Sequence, residues 1–304
     1  VCHGVGKLDG AAGVAYAEPA VADLLCPAQD EAAFQTCLTA ARGAGLATEA
    51  VNCLFPGTLK TCGPEVDNAA VDRWIETVGR RAAAAGVKRI VYGSGGSRKV
   101  PDGFSTDKAR EQIVGHLKRF GPIAAKHGVV IVLEPLNKAE CNIVTTVAEG
   151  AGIVRDVGHP NICLLADTHH MAKDGEGPRS IREAAGLIYH VHVAEGNSRG
   201  PLGTTGEDQR LYFRAMKDIG YDGKPHKGVG MEVTSHYVRA GAASAYPHPN
   251  QFFFNKVKRG EPLYINTDIK LGGYGGECYR NYLIAPWTPH QEKMWEVVAE
   301  SVRI

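Results

Sequence analysis

Residues 162–171 read ICLLADTHHM, an apolar run that ends on an acid and two histidines. Ile, Leu and Ala without polar alternation is the pattern of a strand covered on both faces, as in a parallel sheet. An ionised Asp167 is costly there unless a partner or a metal ion compensates it. The end of this strand is therefore the place to look for a site.

Working outward, short apolar runs alternate with Ala-rich amphipathic segments, the pattern of repeated βα units. Strands are expected at 1–3, 14–20, 46–53, 89–93, 129–134, 162–167, 188–193 and 228–233, with helices at 30–43, 66–85, 106–127, 144–157 and 207–219. Eight such strands predict a closed α/β barrel, (β/α)8, rather than an open sheet. The first unit is clipped, with about ten residues between strands one and two. Helical patterning resumes only near Pro289, so 236–287 is expected to be a long connection after strand eight, a lid or a subunit contact within a single 1–304 domain.

A chain of 304 residues, 44% hydrophobic, is long enough for one such barrel. Lys+Arg of 34 against Asp+Glu of 33, a formal net charge of +1, offers no basic field for nucleic acid or an anionic membrane. A small-molecule substrate is expected instead. No apolar run of about 18 residues is present to span a bilayer. The eight cysteines are scattered without a CxxC pair and read as mostly buried thiols, which leads to the expectation of a cytoplasmic protein; an N-terminal Val1 leaves a removed leader open.

In this architecture chemistry gathers where strands end. Strand five ends on Glu134 (VLEPLN), strand six on Asp167, strand seven on His192 (HVHVAE) and strand eight on Glu232 (GMEV). Any one of these reads as a cap or an ion-pair partner. Four in succession would crowd like charges that only a cation relieves, and the O,O,N,O donor set suits Mn²⁺ first, then Mg²⁺ or Co²⁺, with Zn²⁺ admissible. Glu18 and Asn52 end strands two and three, where they are placed to meet substrate hydroxyls, although Glu18 beside Pro19 reads equally as structural. His190 and His192 are two apart and share a face, so His190 lines the pocket beneath His192. The GSGGSR loop, 93–98, is Gly-rich enough to cradle a phosphate but lacks both the Walker spacing and GxGxxG. Tyr92 and Phe55 read as core.

The order EP, DTHHM, HVHVAEGNSRG, GMEV, with VNCLFPG, YGSGGSRKVPDGFS and GYDG also in family style, resembles the xylose-isomerase-like barrels, and within them the D-tagatose and D-psicose 3-epimerases. The likeness runs over all but 236–287. It implies one divalent ion per chain, held by Glu134, Asp167, His192 and Glu232, with Glu134 and Glu232 also serving as the acid/base pair. It further implies that Glu140, six residues after Glu134, and His170, three after Asp167, bind substrate, as does Arg199, which matches the family's substrate arginine one residue late. His169 reads equally as a substrate contact or as a supporting or surface residue.

Such a site suits proton removal beside a carbonyl, leaving an enediolate that a divalent ion can chelate. Two carboxylates on opposite faces give epimerisation, and one face alone gives aldose–ketose isomerisation. A ketose 3-epimerase-like enzyme is the reading carried forward, with a homodimer or homotetramer expected. The alternatives are a dehydratase or lyase of the same superfamily, 3-dehydroshikimate dehydratase-like or acting on oxidised sugars, and a non-catalytic binding protein on the same fold. An endonuclease-type barrel would need extra ligands and a basic groove, against which the neutral charge argues.

Overall fold

Asp30, Asp67, Ser105 and Thr146 each precede an amphipathic segment, and each accepts a hydrogen bond from the backbone N–H three residues on, at Ala33, Ala70, Lys108 and Glu149. Satisfying one of the free N–H groups of a first turn is how such residues start helices. The helices that follow are α2 (Glu31–Gly43), α3 (Asn68–Ala85), α5 (Thr106–His127) and α6 (Val147–Val157). At Thr146 the cap is reciprocal, because Glu149 reaches back to the N–H groups of Val144 and Thr145, both at 2.8 Å. The long α5 runs through Pro122 and stops where Gly128 takes the left-handed φ of 66°.

The computed structural model describes residues 16–45, 47–221, 231–240, 262–271, 274–283 and 288–301, the three strands between 231 and 283 by their backbone. The strand expected at 1–3 lies outside these residues. The chain divides into two compact units, Val1–Pro225 and His226–Ile304.

In the first unit β3 (Ala50–Val51), β4 (Arg89–Tyr92), β5 (Val130–Leu133), β6 (Ile162–Asp167) and β7 (Ile188–His192) form one parallel sheet in chain order. β1 (Tyr16–Ala17) and β2 (Ala47–Thr48) pair in parallel beside it, and a parallel bridge joins Ala20 to Asn52. Short helices α1 (Val21–Leu24), α4 (Gly95–Arg98), α7 (Thr168–Lys173), α8 (Arg179–Glu183) and then α9 (Arg210–Asp218) complete the repeating βα order.

The pleat sorts the strand residues by period two. Ile90, Tyr92, Ile131, Leu133, Ile162 and Leu164 face the helices, packing with Ile75, Ile113, Leu117 and Phe120 in the main core. Val91, Val132 and Leu165 point the other way and form a separate buried cluster. Glu134 and Asp167 continue that second face, two residues beyond Val132 and Leu165. The register shift between Leu164 and Leu165 then pairs Leu165 with His190 and Asp167 with His192. Without it His192 would lie one residue past Asp167.

The second unit departs from expectation. The strand expected at 228–233 is found as β8 (Met231–Ala240), and among the described residues it pairs antiparallel with β9 (Pro262–Leu271), which pairs with β10 (Tyr274–Leu283); α10 (Pro289–Ser301) follows. Much of 236–287, expected as a connection, is thus regular strand. In the sequence, two runs flanking Gly272-Gly273 carry a hairpin signal.

No helix of the described residues is long and apolar enough to cross a membrane. Cys26, Cys37, Cys62, Cys141 and Cys163 are free thiols; Cys26, Cys62 and Cys141 are buried, Cys37 and Cys163 are partly buried, and Cys53 is exposed. Leu165 is wholly buried on the face below the strand ends. Truncating it, Leu165→Ala, is expected to cost about 2–5 kcal/mol, read as a lower midpoint in chemical denaturation.

Candidate metal centre

Because Glu134, Asp167 and His192 leave their strands on one face, their polar ends converge: each offers a ligand atom, and the three atoms lie within 4.8 Å of one another. His192 Nδ1 is 2.9 Å from Glu134 Oε1 and 3.7 Å from Asp167 Oδ2. Asp167 divides its oxygens. Oδ1 caps α7, accepting from the backbone N–H groups of His169 (2.7 Å) and His170 (3.3 Å), which leaves Oδ2 facing the histidines. The opposite ring edge of His192 meets Glu18, whose Oε1 accepts from Nε2 at 2.8 Å while its Oε2 accepts from His190 Nε2 at 2.9 Å. Glu18 and His190 are both 2% exposed. Both Glu18 oxygens are thereby engaged, so its carboxylate is turned to the histidines rather than to a substrate hydroxyl. Asn52, the other strand-end residue assigned to substrate, spends its side-chain N–H on the backbone carbonyl of Glu18 at 3.2 Å.

Charge follows from this geometry. Burial pushes Glu18 and Asp167 up, but for Glu18 the hydrogen bonds from His190 and His192 win, and for Asp167 the bond and charge of His192 and the charge of His170 win; both are held well below the usual carboxylate range. His192 is raised well above an ordinary imidazole, its own burial outweighed by Glu134, Asp167 and Glu18. His190 and His170 are lowered, chiefly by burial. Three buried carboxylates around one imidazole leave surplus negative charge, which is the condition a divalent cation relieves.

The pocket extends from Asp167 toward His170. The backbone N–H of Asn137 donates to His170 Nδ1 at 3.2 Å, so a neutral His170 carries its proton on Nε2. That nitrogen is buried, has no hydrogen-bond partner among the described residues, and lies 3.7 Å from Asp167 Oδ2. Asn137 also donates to Glu140 Oε1 at 2.9 Å, and Arg199 donates to the same oxygen at 2.9 Å. The residue by which Arg199 falls late is absorbed in a turn where its N–H bonds to Glu195 O at 2.9 Å and its φ is 53°. Glu140, His169 and His170 also lie close enough to share an ion, but His169 Nδ1 already faces the backbone carbonyl of Glu195 at 2.9 Å. Glu232 stands in β8, paired with Lys270 across the second unit's sheet, and its side chain lies outside the described residues.

Several supporting residues escaped the sequence reading. Arg98, wholly buried, donates to the carbonyls of Tyr92 and Glu134 and so pins the strand ends beneath the site. The GSGGSR segment carries this arginine instead of a phosphate: the N–H groups of Gly95, Ser97, Arg98 and Lys99 are all spent on nearby carbonyls. Gly93 leaves room for Glu134, since a Cβ there would sit 1.6 Å from Oε2. Glu195 organises the loop after β7, accepting from the N–H groups of Gly203, Thr205 and Gly206 and the hydroxyls of Ser198 and Thr205. Its only sequence signal was an acid followed by a run rich in Gly, Ser and Thr. Tyr92 and Phe55 are core residues, 5.4 Å apart edge to face.

Comparison with known proteins is decisive for the family. The profile of the xylose isomerase-like TIM barrel family matches residues 10–234. The chain belongs to that family. An L-ribulose 3-epimerase of Methylomonas sp. (strain DH-1) is 34% identical over 145 residues, 44% of this chain and 50% of the relative. A putative hydroxypyruvate isomerase of Mus musculus is 31% identical over 164 residues, 51% of this chain and 58% of the relative. The chain thus spans about half the length of these curated relatives. Among solved structures, a D-allulose 3-epimerase from Methylomonas sp. in complex with D-allulose superposes with a TM-score of 0.57 at 27% identity, covering 69% of this chain and 71% of that one. A D-psicose 3-epimerase solved in the presence of D-fructose, at TM-score 0.61 and 22% identity over 69% of this chain and 73% of that one, shares the fold.

Two outcomes follow from the geometry. Gly93→Ala is expected to fold normally by circular dichroism yet lose at least about tenfold in divalent-metal affinity, because its methyl displaces the Glu134 carboxylate. Glu195 is held down to about 2, by the Thr205 hydroxyl first, with the loop N–H groups adding to it. With a folded value below the unfolded one, its stabilisation is full above about pH 4.3 and is lost as pH falls toward the folded value. Glu195→Gln should therefore lower the denaturation midpoint at neutral pH, and the gap to wild type should shrink progressively in acid.

Proposed function

We propose that this chain is a divalent-metal-dependent sugar isomerase or epimerase, acting on a ketose at C3. The observation that carries the reading is the convergence of Glu134, Asp167 and His192 beside the unpartnered, buried Nε2–H of His170. Carboxylate oxygens with one imidazole suit a hard divalent ion, Mn²⁺ first. Those three residues would hold it, and when bound it supplies electrostatic stabilisation to negative charge developing beside a carbonyl.

The protein's own groups do the rest. Glu134 turns Oε1 to His192 and Oε2 toward Gly93. It is the base for the proton on the carbon next to the carbonyl. Returning a proton to the opposite face inverts that carbon and needs a second acid/base group. His170 donates Nε2–H to a substrate oxygen as it gains charge, in a site where burial strengthens the interaction. Glu140 and Arg199, paired at 2.9 Å, bind hydroxyls further along the sugar. The names of the relatives, 3-epimerases of L-ribulose and D-psicose among them, support this substrate class.

The test is to count divalent ions on purified protein and to incubate the loaded form with unphosphorylated ketoses such as L-ribulose and D-psicose in D₂O. One ion per chain with deuterium entering C3 is the expected result, and Asp167→Ala should abolish both. Metal without C3 exchange would overturn the epimerase reading in favour of a dehydratase or lyase; no ion even after reconstitution would overturn the metal site.

A further inference from the structure

The carboxylate of Glu18 reaches across from the residue after β1 to two histidines of β7 that are 172 and 174 positions away in the chain. We infer that Glu18 is the positioning residue for His192: it fixes which ring nitrogen is free to bind an ion. The inference rests on the metal site proposed above and adds a residue to it.

His192 has two ring nitrogens in different surroundings. Nδ1 faces Glu134 Oε1 and Asp167 Oδ2, the two oxygens that would share an ion with it. Nε2 faces Glu18 Oε1 alone, at 2.8 Å. An ionised carboxylate only accepts, so the bond to Glu18 requires the proton on Nε2. Nδ1 lies 2.9 Å from Glu134 Oε1, so the metal-free ring carries a proton on each nitrogen; because Glu18 holds the one on Nε2, the proton that an entering ion displaces is the one on Nδ1, which frees a lone pair toward Glu134 and Asp167. The opposite tautomer would set an N–H where the ion belongs and a lone pair against a carboxylate.

Glu18 itself is held so that it cannot swing away. Its second oxygen accepts from His190 Nε2 at 2.9 Å, and its backbone carbonyl accepts from the Asn52 side chain at 3.2 Å. The rings of His190 and His192 stand edge to face, 5.1 Å apart at 77°. Glu18 is thus clamped from one side by His190 and aims its free oxygen at His192. The same three residues lie close enough to hold an ion of their own. Hydrogen-bond distances with matched donors and acceptors favour the clamp, since an ion at His192 Nε2 would remove the proton that Glu18 accepts.

The experiment uses full-length protein in two measurements. Long-range ¹H–¹⁵N spectra of the histidine rings, recorded at alkaline pH without metal and again with Zn²⁺, should show wild-type His192 protonated at Nε2. Competition between the protein and a chelator for Mn²⁺ should show one ion per chain, with Glu18→Gln binding it about 10–100-fold more weakly at unchanged stoichiometry, and His192 no longer in a single tautomer. Three results would overturn the inference: wild-type His192 protonated at Nδ1 alone, which needs no variant to fold; Glu18→Gln with wild-type affinity and tautomer; or two ions per wild-type chain, one lost on mutating Glu18. A wild-type protein that binds no Mn²⁺ would instead overturn the metal site, and the metal-free spectra would still decide whether Glu18 fixes the ring.

Discussion

His192 is gripped at both edges by carboxylates, Glu18 at Nε2 and Glu134 with Asp167 at Nδ1. Such a cluster is unfavourable on its own terms, since burial removes water from ions that also repel one another. The barrel makes it possible in two ways. The strand pleat brings these side chains to one face, and Val91, Val132 and Leu165 form a dry floor beneath them. A low-polarity floor strengthens every charge interaction above it, so imidazole and carboxylates bind one another, and would bind a cation, more firmly than in water.

Folding and site are joined through residues that do both jobs. Asp167 starts α7 with one oxygen and offers the other to the site, so the helix that presents His169 and His170 cannot form without orienting the ligand. Arg98 ties the carbonyls of Tyr92 and Glu134, which fixes the end of β5 from which the Glu134 side chain departs. Glu195 gathers the loop after β7, and its own carbonyl accepts from Arg199 N–H and faces His169 Nδ1. The rim arginine and His169 of α7 are therefore tied to one residue through its backbone carbonyl.

What could be read from the sequence was what the strand period dictates. Glu134 and Asp167 had to share a face with Val132 and Leu165, because side chains alternate along a strand. The helices at 30–43, 66–85 and 106–127 were legible from their caps and their apolar spacing. Pairings between distant segments were not. Nothing near Glu18 signals that it meets β7, so substrate and structural roles stand even for it in the sequence, and the register shift that aligns His192 with Asp167 leaves no mark in IYHVHV. Asn137 was invisible for the same reason: its value lies in meeting His170, 33 positions on. The hairpin at 262–283 was legible and was passed over.

The two histidines flanking Asp167 show how neighbours, rather than residue type, assign chemistry. Asp167 Oδ2 lies 3.7 Å from His192 Nδ1 and 3.7 Å from His170 Nε2. The ring of His192 is bonded at its far edge by an acceptor, Glu18, which leaves Nδ1, toward Asp167, as the nitrogen that can give up its proton and turn a lone pair to an ion. The ring of His170 is bonded at its far edge by a donor, the Asn137 N–H, which leaves a proton toward Asp167. One imidazole thus offers electrons to the pocket and the other offers a hydrogen, a few ångströms apart on either side of one carboxylate oxygen. A cation is welcome on the first side and repelled by the N–H on the second, while a substrate oxygen gaining charge has the reverse preference. Glu18 and Asn137, two residues behind the rings, thus decide which proton each imidazole keeps.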